Sequence, residues 1–175
     1  MAIEEETVIA PDVLLFADRK VDGAYPVAEP SGTVVARIVV AWTGTSFSAT
    51  TGDGSPLCEG RRPHLFSQRW QAFDPGGRLI VTLKPSFTGV RKTVTLADGR
   101  VFDLHGQWWG RDWSLIGPDG PALFSEPTSS SWSFWPDAWQ VRCADASLDL
   151  AQVISIVALN RIVVKANRSA AASAG

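Results

Sequence analysis

Cysteine and histidine are scarce in this chain, two of each among 175 residues. So few soft ligands cannot build a zinc site of normal spacing, so no metal and no other cofactor is expected. There is no HExxH, GxSxG or CxxC pattern, no phosphate loop and no dinucleotide fingerprint. Gly52-Asp53-Gly54 is a turn, because no helix follows it to bind a phosphate. His105 lies in a strand-like stretch and reads as structural, and Asp98 and Asp103 are strand neighbours rather than a catalytic pair. No catalytic residue is therefore assigned. Cys58 and Cys143 stand singly and read as free buried thiols, with a disulfide left open. Residues 1–10, MAIEEETVIA, hold three glutamates and no base, unlike a secretory leader. The expected location is the cytoplasm, with a peripheral membrane role left open. A membrane-spanning helix needs about 20 mostly apolar residues. The late apolar stretch is shorter and contains Asp149, Gln152, Asn160 and Arg161, which favours a buried core helix over a span.

What the chain does have is uneven charge. The net charge is −2, but residues 1–60 hold nine acids and three bases, whereas residues 61–111 hold nine bases and three acids. Residues 112–175 hold six acids and four bases. A basic middle third suits an anionic partner. The competing reading is a set of solvated strand faces neutralised in space by the acidic first third. The acidic flanks argue against nucleic acid as the partner.

It also has a rhythm. Turn glycines recur at positions 32, 54, 77, 99 and 120, at intervals of 22, 23, 22 and 21 residues. Glycine supplies the positive φ that tight hairpins need, and the preceding Asp tolerates it. Strand-like residues flank each turn, as in Thr33–Trp42, Arg78–Lys84 and Arg100–Leu104. Val90, Val94 and Leu96 alternate with Arg91, Thr93 and Thr95, the period of a strand with one dry face. About 22 residues make two strands and two turns. Five such units, an N-terminal pair around Asp22-Gly23 and a last strand near Trp139–Cys143 give about 12 strands. Closure into a barrel removes the exposed edges of so long a meander. Twelve strands enclose more space than their own side chains fill.

Leu148–Val164, LDLAQVISIVALNRIVV, supplies the occupant: 12 of its 17 residues are apolar and they point in every direction of a helix. Such a helix must be buried all round. The predicted fold is mainly β, a closed antiparallel barrel of about 12 strands around a central hydrophobic C-terminal α-helix. One barrel domain is expected over residues 1–168 with its helix at 147–166, capped by Ser147 or Asp145, and a disordered tail over 169–175.

The sequence resembles the tubby C-terminal-like superfamily, and within it the LURF-one-related and phospholipid-scramblase-like proteins. The resemblance rests on the strand–Asp/Gly–strand units FDPGGRLIVTLK at 73–84, TLADGRVFDLHG at 95–106 and WSLIGPDGPALFSEP at 113–127, and on the helix at 148–164. It spans residues 13–168. It implies a 12-stranded barrel around a central helix, and binding of phosphoinositides or association with membranes. The calcium-loop and cysteine-rich stretches of scramblases are missing, which weighs against lipid translocation.

The segment Lys84 to Lys92, KPSFTGVRK, is the best binding candidate. Pro85 and Gly89 mark a loop with Phe87 at its tip. Lys84, Arg91 and Lys92, with Arg69 and Arg78 nearby in sequence, form the candidate anionic-ligand set. Eight tryptophans are many for this length. Most are expected to fill space between sheet and helix. Trp135 precedes Pro136, a residue that breaks central strands, and so is expected near a rim, where it would join Phe87 in a membrane-interface or stacking role. The expected function is a non-enzymatic binding module, monomeric and without a transmembrane segment. It would engage anionic lipid headgroups or a protein partner at the cytoplasmic membrane face. A carbohydrate-binding or other aromatic platform is the alternative, and a small enzyme using the barrel mouth is the third.

Overall fold

Alternation of period two with a turn every ten or so residues leaves the chain one economical solution, a meander of antiparallel hairpins. The computed structural model, which describes residues 8–86, 91–106, 112–127 and 139–173, has that form. Twelve strands follow in order: β1 (Val13–Phe16), β2 (Tyr25–Ala28), β3 (Val34–Val40), β4 (Ser46–Thr51), β5 (Pro56–Arg61) and β6 (Trp70–Phe73). Then come β7 (Leu79–Pro85), β8 (Arg91–Leu96), β9 (Val101–Gly106), β10 (Trp113–Gly117), β11 (Gly120–Pro127) and β12 (Trp139–Cys143). Each pairs with its sequence neighbour, and β1 pairs with β12 through Val13↔Arg142 to Phe16↔Trp139, closing the barrel. One helix, α1 (Leu150–Ser173), follows β12.

The lower-end turns are held by a repeated device. Asp74 Oδ1 accepts the Arg78 backbone N–H at 2.8 Å while Oδ2 accepts its Nε–H at 2.7 Å. Asp98 does the same for Arg100, at 3.0 and 2.7 Å, around Gly99 with φ 89°. The Arg100 N–H holds the Asp98 carboxyl below its ordinary range.

Side chains of one parity fill the lumen: Val81 and Leu83 from β7, Val94 and Leu96 from β8, Phe102 and Leu104 from β9 are all buried. Among them runs α1, whose residues Val153 to Asn160 are buried without a break. A helix with no polar face has nowhere else to go. By length and composition Leu150–Asn167 would suffice to cross a membrane, yet 61% of it is buried inside the barrel, as for a core helix. The helix leans toward β4, β5, β6 and β7. The opposite wall carries large rings instead: Phe16 stacks on Trp139 with centroids 4.9 Å apart, and Trp113 meets Trp139 edge-on at 6.3 Å. Elsewhere a ring takes its space from a glycine. A Cβ on Gly60 would lie 2.1 Å from the Phe47 ring of the paired strand.

Two details of the helix differ from expectation. Its cap is Asp149, whose Oδ1 accepts the Gln152 N–H at 2.7 Å while Gln152 Oε1 accepts the Asp149 N–H at 3.0 Å. This reciprocal capping box displaces Ser147 and Asp145 from that role. Those two form the preceding turn, where Arg100 Nη1 donates to Ser147 Oγ at 2.5 Å and ties the helix start to the β8–β9 turn. At its other end α1 continues past 166 to Ser173, across residues expected to be a disordered tail. Alanine is the strongest helix former, and Ser169 and Ser173 hydroxyls bond carbonyls one turn back.

Ile154 is fully buried in the lumen. Ile154→Ala is expected to lower the unfolding free energy by about 2–5 kcal/mol in urea denaturation. A loss below about 1 kcal/mol is what a surface position gives and would contradict this placement.

Candidate functional site

Strict up-and-down order sorts the connections between two ends. The lower end, where α1 begins, holds the tight turns and the acids Asp53, Asp74, Asp98, Asp119 and Asp145. The upper end, toward which α1 runs, receives the connections after β1, β3, β5 and β7. The β5–β6 connection, residues 62–69, and the adjoining ends of β7 and β8 carry Arg62, Arg69, Lys84 and Arg91 and no acid.

The structure therefore brings together three of the five basic residues singled out from the sequence. Trp70 pairs with Leu83, which sets Arg69 beside Lys84, and the Ser86 N–H bonds the Arg91 carbonyl at 2.7 Å across the next hairpin. All three bases are exposed or half-exposed at the upper ends of β6, β7 and β8. Arg78 is not with them. It sits at the lower end of β7, in an ion pair with Asp74 at 2.7 Å, a strand length of about 20 Å away. Lys92 shares the upper level but points the other way, into the lumen, and is only 4% exposed. Phe87 and Trp135 lie outside the described residues, as do Trp108, Trp109 and Trp132.

Sequence reasoning missed the apolar part of this end. Trp42, in the β3–β4 connection, is 94% exposed, and Phe66 and Leu65, in the β5–β6 connection, are 91% and 79% exposed. The sequence carried no signal for their exposure: Trp42 closes a strand-like stretch, and Leu65 and Phe66 follow Pro63-His64 as any buried pair could. Among the described residues no other aromatic ring is so exposed.

A cavity of about 300 Å³ opens at the same end, between the β5–β6 connection, the end of β7 and the last turns of α1. Arg62 lies on its wall, with Nε donating to the Ser67 carbonyl at 2.6 Å and the guanidinium 5.3 Å from the Trp70 ring centre. Lys92 lies nearby. It pairs with Pro85, a wall residue, and its Nζ donates to Asn160 Oδ1 of α1 at 2.6 Å. Burial pulls the Lys92 amine down to about 8. Arg161, one residue on, faces the other side and pairs with Asp18 at 2.9 Å over the Tyr25 ring.

The thiols offer no comparable chemistry. Cys58 and Cys143 are unbridged, and burial pushes them up to about 12 and about 11, leaving neutral thiols. Among the described residues no three His, Cys, Asp or Glu side chains gather as metal ligands would.

No family model matches the sequence, and no curated protein matches it. Among solved structures, the chain is similar to the X-ray structure of the Arabidopsis thaliana protein AT5G01750, with a TM-score of 0.62 over 89% of this chain and 93% of that one. The two are 20% identical, so the likeness establishes the barrel fold and nothing of its use.

The lowered Lys92 amine has a measurable consequence. The unfolded chain holds that proton up to about 10.5 and the folded chain releases it near 8. Between those values the unfolded state binds more protons, so stability rises with pH across this window. The difference corresponds to about 3 kcal/mol. Lys92→Met is expected to abolish that share of the rise in denaturation curves taken from pH 7 to pH 10.5. Parallel stability profiles for the two proteins would contradict a buried, costly charge.

Proposed function

We propose that the protein is a non-enzymatic binding module that docks its upper end on an anionic phospholipid surface at the cytoplasmic membrane face. The single observation that carries this reading is the coincidence at one end of fully exposed Trp42 and Phe66 with the acid-free row of Arg69, Lys84 and Arg91. Exposed rings flanked by bases suit a membrane interface: the ring enters the headgroup layer and the cations meet the lipid charge. Each base near such a surface contributes about 1 kcal/mol. Arg62, Arg69, Lys84 and Arg91 together give weak binding that salt reverses. The resemblance to tubby-like and scramblase-like proteins supports the same reading, because lipid and membrane binding recur among them. Lys92 and Arg78 take no part in it, the first facing inward and the second occupied at the opposite end.

The exposed Trp42 ring also favours a second reading, an aromatic platform that stacks on a sugar. The two separate on charge, since a sugar platform has no use for the basic row.

Co-sedimentation with vesicles of phosphatidylcholine, with and without phosphatidylserine, tests this. Binding is expected only with the acidic lipid, falling at least about tenfold in Lys84→Glu/Arg91→Glu and in Trp42→Ser/Phe66→Ser, and falling again as salt is raised. Equal binding to both vesicles, or none to either, would overturn the lipid reading. Sugar binding lost in Trp42→Ser alone would install the second.

A further inference from the structure

We infer that the C-terminal end of α1, from Ala166 to Ser173, is itself part of the membrane contact. It passes between the two connections that carry the exposed rings and enters the headgroup layer, with the helix axis close to the bilayer normal. This deepens the docking reading and rests on it. It adds a third element to the contact and fixes the orientation of the barrel, which rings and bases alone leave open.

The height of the helix is set by its neighbours. On one side Lys165 Cδ lies 3.9 Å from the place a Cβ on Gly44 would take, in the β3–β4 connection two residues beyond Trp42. On the other side Val163, Ala166 and Asn167 share a cavity wall with Arg62 and Gln68 of the β5–β6 connection, which carries Phe66. Helical side chains lean toward the N-terminus of their helix, so the backbone at Lys165 stands at or above the level of Gly44. Eight more helical residues follow, to Ser173. At 1.5 Å each they carry the helix about 12 Å farther along its axis. Ser169, Ala172 and Ser173 are exposed there, as are Lys165 and Ala166. A surface that receives Trp42 and Phe66 therefore meets this end as well.

The chemistry of the end suits that layer. No acid follows Asp149 in the sequence, so no carboxylate side chain on α1 opposes an anionic lipid. Lys165 adds an exposed base at the end that holds Arg69, Lys84 and Arg91. Alanine stands at 166, 170, 171 and 172. The Ser169 and Ser173 hydroxyls are spent within the helix, donating to the Lys165 and Ser169 carbonyls at 3.2 and 2.9 Å. Polar groups already bonded cost little to move out of bulk water. No large apolar side chain stands beyond Val164. The end thus contributes position and charge, and the rings supply the grip.

Ala172→Cys carrying an environment-sensitive fluorophore tests this, with Asp119→Cys in an exposed lower-end turn as the reference. Cys58 and Cys143 are held as neutral thiols, which directs the fluorophore to the introduced cysteine. On vesicles of phosphatidylcholine with phosphatidylserine, the label at 172 is expected to shift to the blue and to lose at least about half of its quenching by acrylamide, while the label at 119 is unchanged. Lys165→Gln is expected to weaken co-sedimentation about fivefold, as the loss of one base near a charged surface does. Co-sedimentation with the label at 172 as accessible as in solution overturns the inference and leaves surface docking standing. Equal protection of both labels overturns it too, since the barrel would then lie on its side, and so does unchanged co-sedimentation of Lys165→Gln. Failure of the parent protein to co-sediment removes the docking reading and this inference with it.

Discussion

Burial of α1 inside the closed sheet is the constraint on which the rest of this molecule depends. Val153, Ile154, Ile156, Leu159 and Ile162 cover every side of the helix and are all essentially without solvent contact. Each such side chain contributes about 1.5–3 kcal/mol on leaving water. No single packing partner could cover them, because one sheet face or one helix hides only a stripe. The sheet has the reciprocal need. Twelve strands in a ring are too wide for their own side chains to meet across the middle. Helix and ring therefore complete each other, and the Phe16–Trp139–Trp113 cluster fills the crescent left because the helix leans toward the opposite wall.

From this arrangement follows a division between the two ends. A meander closed around a helix must send its connections alternately up and down. The repeated Asp–Gly turns crowd the lower end, close tightly and use their carboxylates on their own backbone and on Arg78 and Arg100. Little charge is left there for other purposes. At the upper end the β5–β6 connection is longer and carries Arg62 and Arg69 with no acid of its own, and Trp42 and Phe66 stand in water. Rigid scaffolds commonly concentrate binding in such loops. The same end is where the packing of α1 against the wall loosens enough to leave a cavity.

Much of the scaffold was legible because its signals are periodic. The glycine interval of about 22 residues, the alternation in β8 and the all-round apolar helix each state a geometry directly. The candidate site residues were harder to read, for identifiable reasons. Lys92 was grouped with Lys84 and Arg91 because KPSFTGVRK reads as a solvated basic loop. The parity of the strand pointed the other way: Val94 and Leu96 are lumen residues, and Lys92 continues their row. Arg78 follows Gly77 in a turn, and Lys84 closes the same strand, so one strand length had to part them. The capping box at Asp149 and Gln152 was present in the sequence too, hidden by the polar residues just before it. Exposure of Trp42 and Phe66 had no such signal, since large rings in a barrel protein are ordinarily packing material and only tertiary placement shows otherwise.

Native-state amide hydrogen exchange on α1 tests the central claim most directly. If the helix is the core of the ring, the amides of Val157 to Val163 exchange only when the whole barrel unfolds, with the same free energy and denaturant dependence as those of Leu83 and Leu115. Exchange of the helix at a distinctly lower free energy, while the strands stay protected, would mean that the ring stands without its occupant, and the account would be wrong.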